Sequence, residues 1–245
     1  MQPIDHLVAA ALTGDGASVS ARLRAEPALL EARNMFGAGV AHAAHYGGHP
    51  ELLGLPELAG WVPGVVTSAE LGDATAVRQA LVADPLLAGQ FFGTTTALHA
   101  AAYWGQVEVA ELLLEAGADA IVNEPSRDGF LQITPLGSAV ATTPGIPQPS
   151  DDEDVVLALV TLLVGHGADV NARRRDGMTP LHGAAWRGLP SVVQALRDAG
   201  ADLAATAVSG PHAGQTAADT ALSQGHLVLA ARLDPGRLAG VQAPG

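Results

Sequence analysis

The chain has no cysteine and no lysine: all 12 of its cations are arginine. These two absences exclude a disulfide framework, a thiol nucleophile, Cys-ligated zinc and iron–sulfur sites, a Schiff-base lysine and a Walker-type phosphate lysine. Aromatics are scarce at 4%, so the core must be built from closely packed Ala, Leu and Val. Only 15% of the residues are charged against 48% hydrophobic, a balance that excludes overall disorder in 245 residues. Anionic side chains outnumber cationic ones, giving a net charge of -13. Such a surface repels phosphate backbones and anionic lipid, so neither nucleic acid nor a membrane is expected as a partner. Long apolar runs are also missing. The best, Val155 to Gly165, is about half of what spans a bilayer. The start, MQPIDHLVAAALTGDG, lacks a basic region and a long enough apolar run for a signal peptide. The expected location is cytoplasmic, and the Ala, Gly and Arg bias in the absence of Lys suggests a bacterial host.

What the chain does have is internal repetition. TPLHGAAWRG at 179–188 is matched by TALHAAAYWG at 96–105, and more loosely by GVAHAAHYGG at 39–48 and TAADTALSQG at 216–225. ELLLEAGADA and TLLVGHGADVN follow further along. Gly after each first helix marks the register at Gly14, Gly48, Gly72, Gly105, the position of Thr143, Gly188 and Gly225, with spacings of 34, 24, 33, 38, 45 and 37. Within a unit, Val107, Val109, Leu112, Leu113 and Leu114 fall at helical spacing, yet one helix pair is too small to bury its own apolar faces. Thr96 and Thr179 are placed to cap first helices, and Gly117, Gly167 and Gly200 to end second helices.

These strings resemble the ankyrin repeat. The resemblance implies an all-α repeat solenoid of stacked helix-turn-helix units with short hairpin loops. About seven units would fill one domain over residues 1–240, leaving 241–245 as a flexible tail. Two places break the period. Between Gly48 and Gly72 the spacing is short and the sequence carries Pro56 and Pro63, predicting an irregular junction over 54–65 from which the usual hairpin is missing. Residues 142–154, TTPGIPQPSDDED, predict an inserted projecting loop.

Nine histidines in an acidic chain raise a metal site, but Gly47, Gly48 and Pro50 break any helix that would align His42, His45 and His49. The resemblance assigns His42, His99 and His182 to structural hydrogen bonds between units, and no metal or cofactor is expected. His45 differs, standing in a column otherwise made of Ala11, Ala69, Ala102, Val140, Ala185 and Leu222. The resemblance also implies a concave groove lined by residues just before each marker and by hairpin tips. Here these are Phe36, Tyr46, Phe92, Tyr103, Trp104, Phe130, Trp186 and Arg187, residue types that dominate binding hot spots.

Two functions follow from different classes. One is a non-enzymatic scaffold, monomeric or partner-bound, that holds a protein or peptide in the aromatic groove. The other is a small-molecule-binding accessory protein or enzyme with a pocket at the junction, walled by His45 and Trp61. In that reading His45 is the acid or base and Glu70 or Asp73 orients it. No GxGxxG, GxSxG, HExxH or EF-hand loop supports catalysis.

Overall fold

The computed structural model describes residues 2–32, 39–58, 63–128, 131–141 and 152–236. The described residues form an all-α repeat solenoid. Its helices follow in pairs: α1 (Pro3–Leu12) with α2 (Gly16–Ala25), α4 (Val65–Leu71) with α5 (Ala74–Ala83), and α6 (Ala97–Tyr103) with α7 (Val107–Glu115). They continue as α8 (Pro135–Ala139) with α9 (Glu153–Gly165), α10 (Pro180–Arg187) with α11 (Pro190–Asp198), and α12 (Ala217–Ser223) with α13 (Leu227–Leu233). Between the first two of these pairs stands α3 (Val40–Tyr46), followed by two 3-10 turns, Pro50–Gly54 and Pro56–Leu58, in place of a second α-helix. The irregularity between Gly48 and Gly72 is therefore a lost helix as well as a shortened connection. Among the described residues the one sheet is a hairpin of β1 (Phe91–Phe92) and β2 (Thr95–Thr96), with Phe91 opposite Thr96 and Phe92 opposite Thr95. No helix of the described residues is long and apolar enough to cross a membrane.

Local chemistry sets the helix ends. The Thr96 hydroxyl accepts from the His99 amide at the start of α6, and Thr134 does the same for Gly137 at the start of α8. Pro135, Pro180 and Pro190 occupy first helical positions, where a missing N–H costs nothing. Gly72 and Gly188 close α4 and α10 in the left-handed conformation. First helices pack side by side through small residues. Ala97, Ala100, Ala101 and Ala102 of α6 and Ala184 and Ala185 of α10 are buried, which is how a chain poor in aromatics fills its interior. At Gly183 the approach is so close that a Cβ would run into the Val140 carbonyl of α8.

Consecutive units are tied by side-chain to backbone bonds along both edges. On the loop edge, the Nε2–H of His99 donates to the Ile133 carbonyl (3.0 Å) and that of His182 to the Gln215 carbonyl (3.1 Å). On the far edge, the Asn123 amide donates to the Gly167 carbonyl (2.9 Å) and accepts from the Asp169 N–H (2.7 Å). Asn171 repeats the pattern with Gly200 (3.1 Å) and Asp202 (2.8 Å). Loop backbones also join directly, Arg127 N–H to Thr94 O (2.7 Å), Arg175 N–H to Leu131 O (2.9 Å) and Val208 N–H to Asp176 O (2.7 Å).

Among the described residues the buried apolar side chains fall into two clusters. One cluster runs from Ile4 to Leu58 through α1, α2, α3 and the 3-10 turns, and the larger one from Val65 to Leu233. α4, at the boundary, buries Thr67, Ser68 and Glu70 along with Val65, Val66 and Ala69. The Glu57 carboxylate clasps the smaller cluster from outside, accepting from the Ser20 hydroxyl (2.6 Å) and the Arg24 Nε–H (2.5 Å).

Gly188 gives a first expected result. Its φ is +68° and the His226 imidazole lies where a Cβ would project. Gly188→Ala should therefore destabilise the fold by more than the roughly 1 kcal/mol that positive φ alone costs an L-residue. Urea unfolding measures this, and an unchanged midpoint would contradict the stacking of His226 on Gly188.

Candidate partner-binding surface

The surface is built from the last turns of α6 and α10 and from the loops beside them. Tyr103 ends α6 and Trp104 caps it, and both rings are half-buried. They meet edge to face, centroids 4.6 Å apart and planes at 83°, an arrangement that fixes both orientations. Two units further on, Trp186 takes the position of Tyr103. Its half-buried ring stands at 90° to the His212 imidazole, 4.6 Å away, and its carbonyl accepts from the Nε2–H of His226 (3.1 Å). His212 sits on a 3-10 turn, Gly210–His212, and is anchored through Nδ1 to the Gln215 side chain (2.8 Å). Arg187, in register with Trp104, donates from Nη1 to the Ala139 carbonyl (3.2 Å) of α8 and lies half-buried. It thus bridges two first helices.

Other candidates sit differently. Glu70 shares the register of Tyr103 and Trp186 but is 3% exposed. Its carbonyl accepts from the Gln106 side chain (3.1 Å). Asp73 caps α5, its Oδ1 accepting from the Ala76 amide (2.9 Å), so this carboxylate is held by the helix start. Phe92 is half-buried and packs against the larger core cluster. Phe36, Phe130 and Trp61 lie outside the described residues, as do the side chains of His45 and Tyr46.

Three residues on this side escape a reading by register. Phe91 carries the Arg127 guanidinium 3.6 Å above its ring and the buried His99 ring 6.2 Å away. Neighbours in a strand point to opposite faces, so which of Phe91 and Phe92 turns inward depends on strand register. His212 belongs to the long connection between α11 and α12, whose path only the folded chain fixes. An indirect signal was present: the 37-residue spacing from Gly188 to Gly225 marks extra residues there.

Electrostatics are local. Burial, set against hydrogen bonds to backbone, lowers the His99 pKa to about 4, and burial lowers that of His182 as well. Both rings are neutral near pH 7 and serve as connectors. In the Arg173–Arg175 cluster, Arg174 pairs with Asp176, and the Asp176 pKa is lowered by that guanidinium against the opposing effect of burial. Arg173 is exposed and donates from Nη1 to the Gly177 (3.2 Å) and Thr206 (3.0 Å) carbonyls.

Comparison with known proteins agrees with this geometry. Residues 95–127 match a family model described as ankyrin repeat, and residues 155–197 one described as ankyrin repeats (many copies). The chain is 39% identical over 109 residues to the B-cell lymphoma 3 protein homolog of Mus musculus, a stretch covering 44% of this chain and 20% of that one. It is 36% identical over 108 residues to the Neurogenic locus Notch protein of Drosophila melanogaster, covering 44% of this chain and 3% of the relative. A Xenopus tropicalis relative, Neurogenic locus notch homolog protein 1, is 37% identical over 108 residues, 44% of this chain and 4% of that one. The matched stretch spans a fifth or less of these curated relatives.

Proposed function

We propose that this chain, an ankyrin-repeat protein, acts as a protein–protein interaction scaffold that holds a protein or peptide partner against Tyr103, Trp104 and Trp186. The observation that carries the reading is the state of these three rings. Each is half-buried, held by a neighbouring ring or a backbone bond, and still presents area at the ends of α6 and α10. Aromatic side chains fixed in this way supply large contact area at small entropic cost, which is why they dominate binding hot spots. The loop edge beside them is joined through backbone bonds, so the partner meets a preorganised face. The chain works as one array in this reading.

Replacing Tyr103, Trp104 and Trp186 together by Ala should weaken partner binding by on the order of a hundredfold or more, because each hot-spot truncation costs roughly 2 kcal/mol. Helicity should stay, since none of the three is among the fully buried side chains. Binding is read by calorimetry with the partner recovered from the native cell, and helicity by circular dichroism. Unchanged affinity in a folded variant would reject the groove. Collapse of the fold would reassign the three rings to packing.

A further inference from the structure

Arg127 is an exposed cation that the fold holds in place without spending its side-chain hydrogen bonds. Its guanidinium carbon stands 3.6 Å from the centre of the Phe91 ring, a cation–π contact that limits where the group can swing. Its backbone is pinned as well, Arg127 N–H donating to the Thr94 carbonyl (2.7 Å). Among the described residues its side chain makes no hydrogen bond and no ion pair, so the guanidinium keeps its N–H donors for a ligand. The acids of the neighbouring loops are engaged elsewhere. Asp128 accepts from the Leu131 amide (2.7 Å) and the Ser126 hydroxyl, and Asp176 pairs with Arg174. Glu124, three residues before Arg127, is exposed and forms no ion pair with it.

We propose that Arg127, steadied by Phe91, is a surface clamp for an aspartate or glutamate side chain of the protein partner. The proposal deepens the scaffold reading and rests on it. A guanidinium presents paired donors that match the two oxygens of a carboxylate, and one already held on a ring loses little freedom when they engage. The fold also sets a spacing. Phe91 lies opposite Thr96, which caps α6, so the clamp stands at the start of that helix while Tyr103 and Trp104 stand at its end. The 7 residues of α6 span about 10 Å at 1.5 Å each. An extended segment covers that distance in about three residues. The partner should thus carry its acid about three residues from the apolar side chain that meets Tyr103 and Trp104. A nucleic acid would bring many phosphates to a chain of net charge -13, so the anion is a single side chain and not a phosphate backbone.

The test uses the full chain, isotope-labelled, and three Gly-Ser peptides carrying Glu-Gly-Ser-Leu, Gln-Gly-Ser-Leu or an adjacent Glu-Leu pair. The first should shift the Nε–H signal of Arg127 and bind on the order of tenfold more tightly than the second. Added salt should narrow that difference. The adjacent pair, too short to reach both sites, should bind no better than the Gln peptide, and affinity equal to that of the first would overturn the spacing. Arg127→Gln should erase the preference for Glu, Arg127→Lys should restore only part of it, and Phe91→Leu, which keeps the charge but not the ring, should reduce it. Equal affinity for the Glu and Gln peptides, no binding of either, or a preference that survives Arg127→Gln would overturn the clamp. If Phe91→Leu fails to fold, the substitutions of the exposed Arg127 still decide. A native partner lost by the triple Ala variant, with no Glu preference in the unaltered chain, would leave the scaffold standing and remove the clamp. A Glu preference together with native-partner binding unchanged in the triple variant would keep the clamp and reject the aromatic groove.

Discussion

Lowering the pH from 7 to 4 should cost the fold about 3 kcal/mol through His99 alone, because burial holds its pKa at about 4 against 6.5 for a free imidazole. His99 is buried with both ring nitrogens committed. Nε2–H donates to the Ile133 carbonyl, and Nδ1 accepts from the Thr96 hydroxyl (2.8 Å). The neutral ring has both nitrogens partnered in this geometry, and burial opposes its protonation. The folded pKa is about 4 against 6.5 for a free imidazole. Above pH 6.5 both folded and unfolded chains are neutral at this site and its contribution is fully present. Between 6.5 and 4 the unfolded chain takes up a proton that the folded chain refuses, so stability falls with pH, and below 4 the loss is complete. His182 is lowered in the same sense and adds to the slope. The lowered carboxylates Asp15, Glu57 and Asp176 act in a separate window: their contribution is present above about pH 4 and lost below it. Urea unfolding at pH 7, 5.5 and 4 reads the effect, and His99→Gln should flatten the slope between 6.5 and 4. A slope unchanged in that variant would mean His99 is not the buried neutral connector described here.

Leu7→Ala should unfold residues 2–58 without loosening the rest. Leu7 is fully buried in the smaller cluster, and truncating such a leucine costs about 2–5 kcal/mol through lost transfer energy and the cavity left behind. In a regular array that loss is shared with the next unit through a continuous core. Here the buried side chains that the structure describes fall into two clusters, and the second α-helix that would have stacked on α5 is replaced by two 3-10 turns. Hydrogen exchange should therefore show amides of α1, α2 and α3 losing protection while those of α6 to α13 keep theirs. Leu159→Ala, in the larger cluster, should leave residues 2–58 as they are. Loss of protection spread evenly along the chain after Leu7→Ala would show that the two clusters unfold as one.

The repeat itself was legible in the residues because each unit carries its own stop and start signals. Thr96 and Thr179 cap, Pro180 opens a helix, and Gly188, Gly117, Gly167 and Gly200 take the positive φ that ends one. Such signals act over a few residues, so a linear reading finds them. The His connectors were legible in part, as a residue type recurring in register, but their acceptors, Ile133 and Gln215, are named only by the fold, as is the Asn ladder to Gly167 and Gly200. Tertiary structure alone decided what lies across units. Register cannot tell that Glu70 is buried where Tyr103 and Trp186 stay half-open, since exposure in a column depends on what the neighbouring unit places over it. It cannot tell that Asp73 is spent on a helix cap, that His212 leans on Trp186, or that Arg127 covers Phe91. The sequence determined the solenoid because its rules are local and repeated. The surface had to wait for the stack, because the contacts of Trp186 with His212, of Arg127 with Phe91 and of Arg187 with Ala139 join residues 26, 36 and 48 positions apart that only packing brings together.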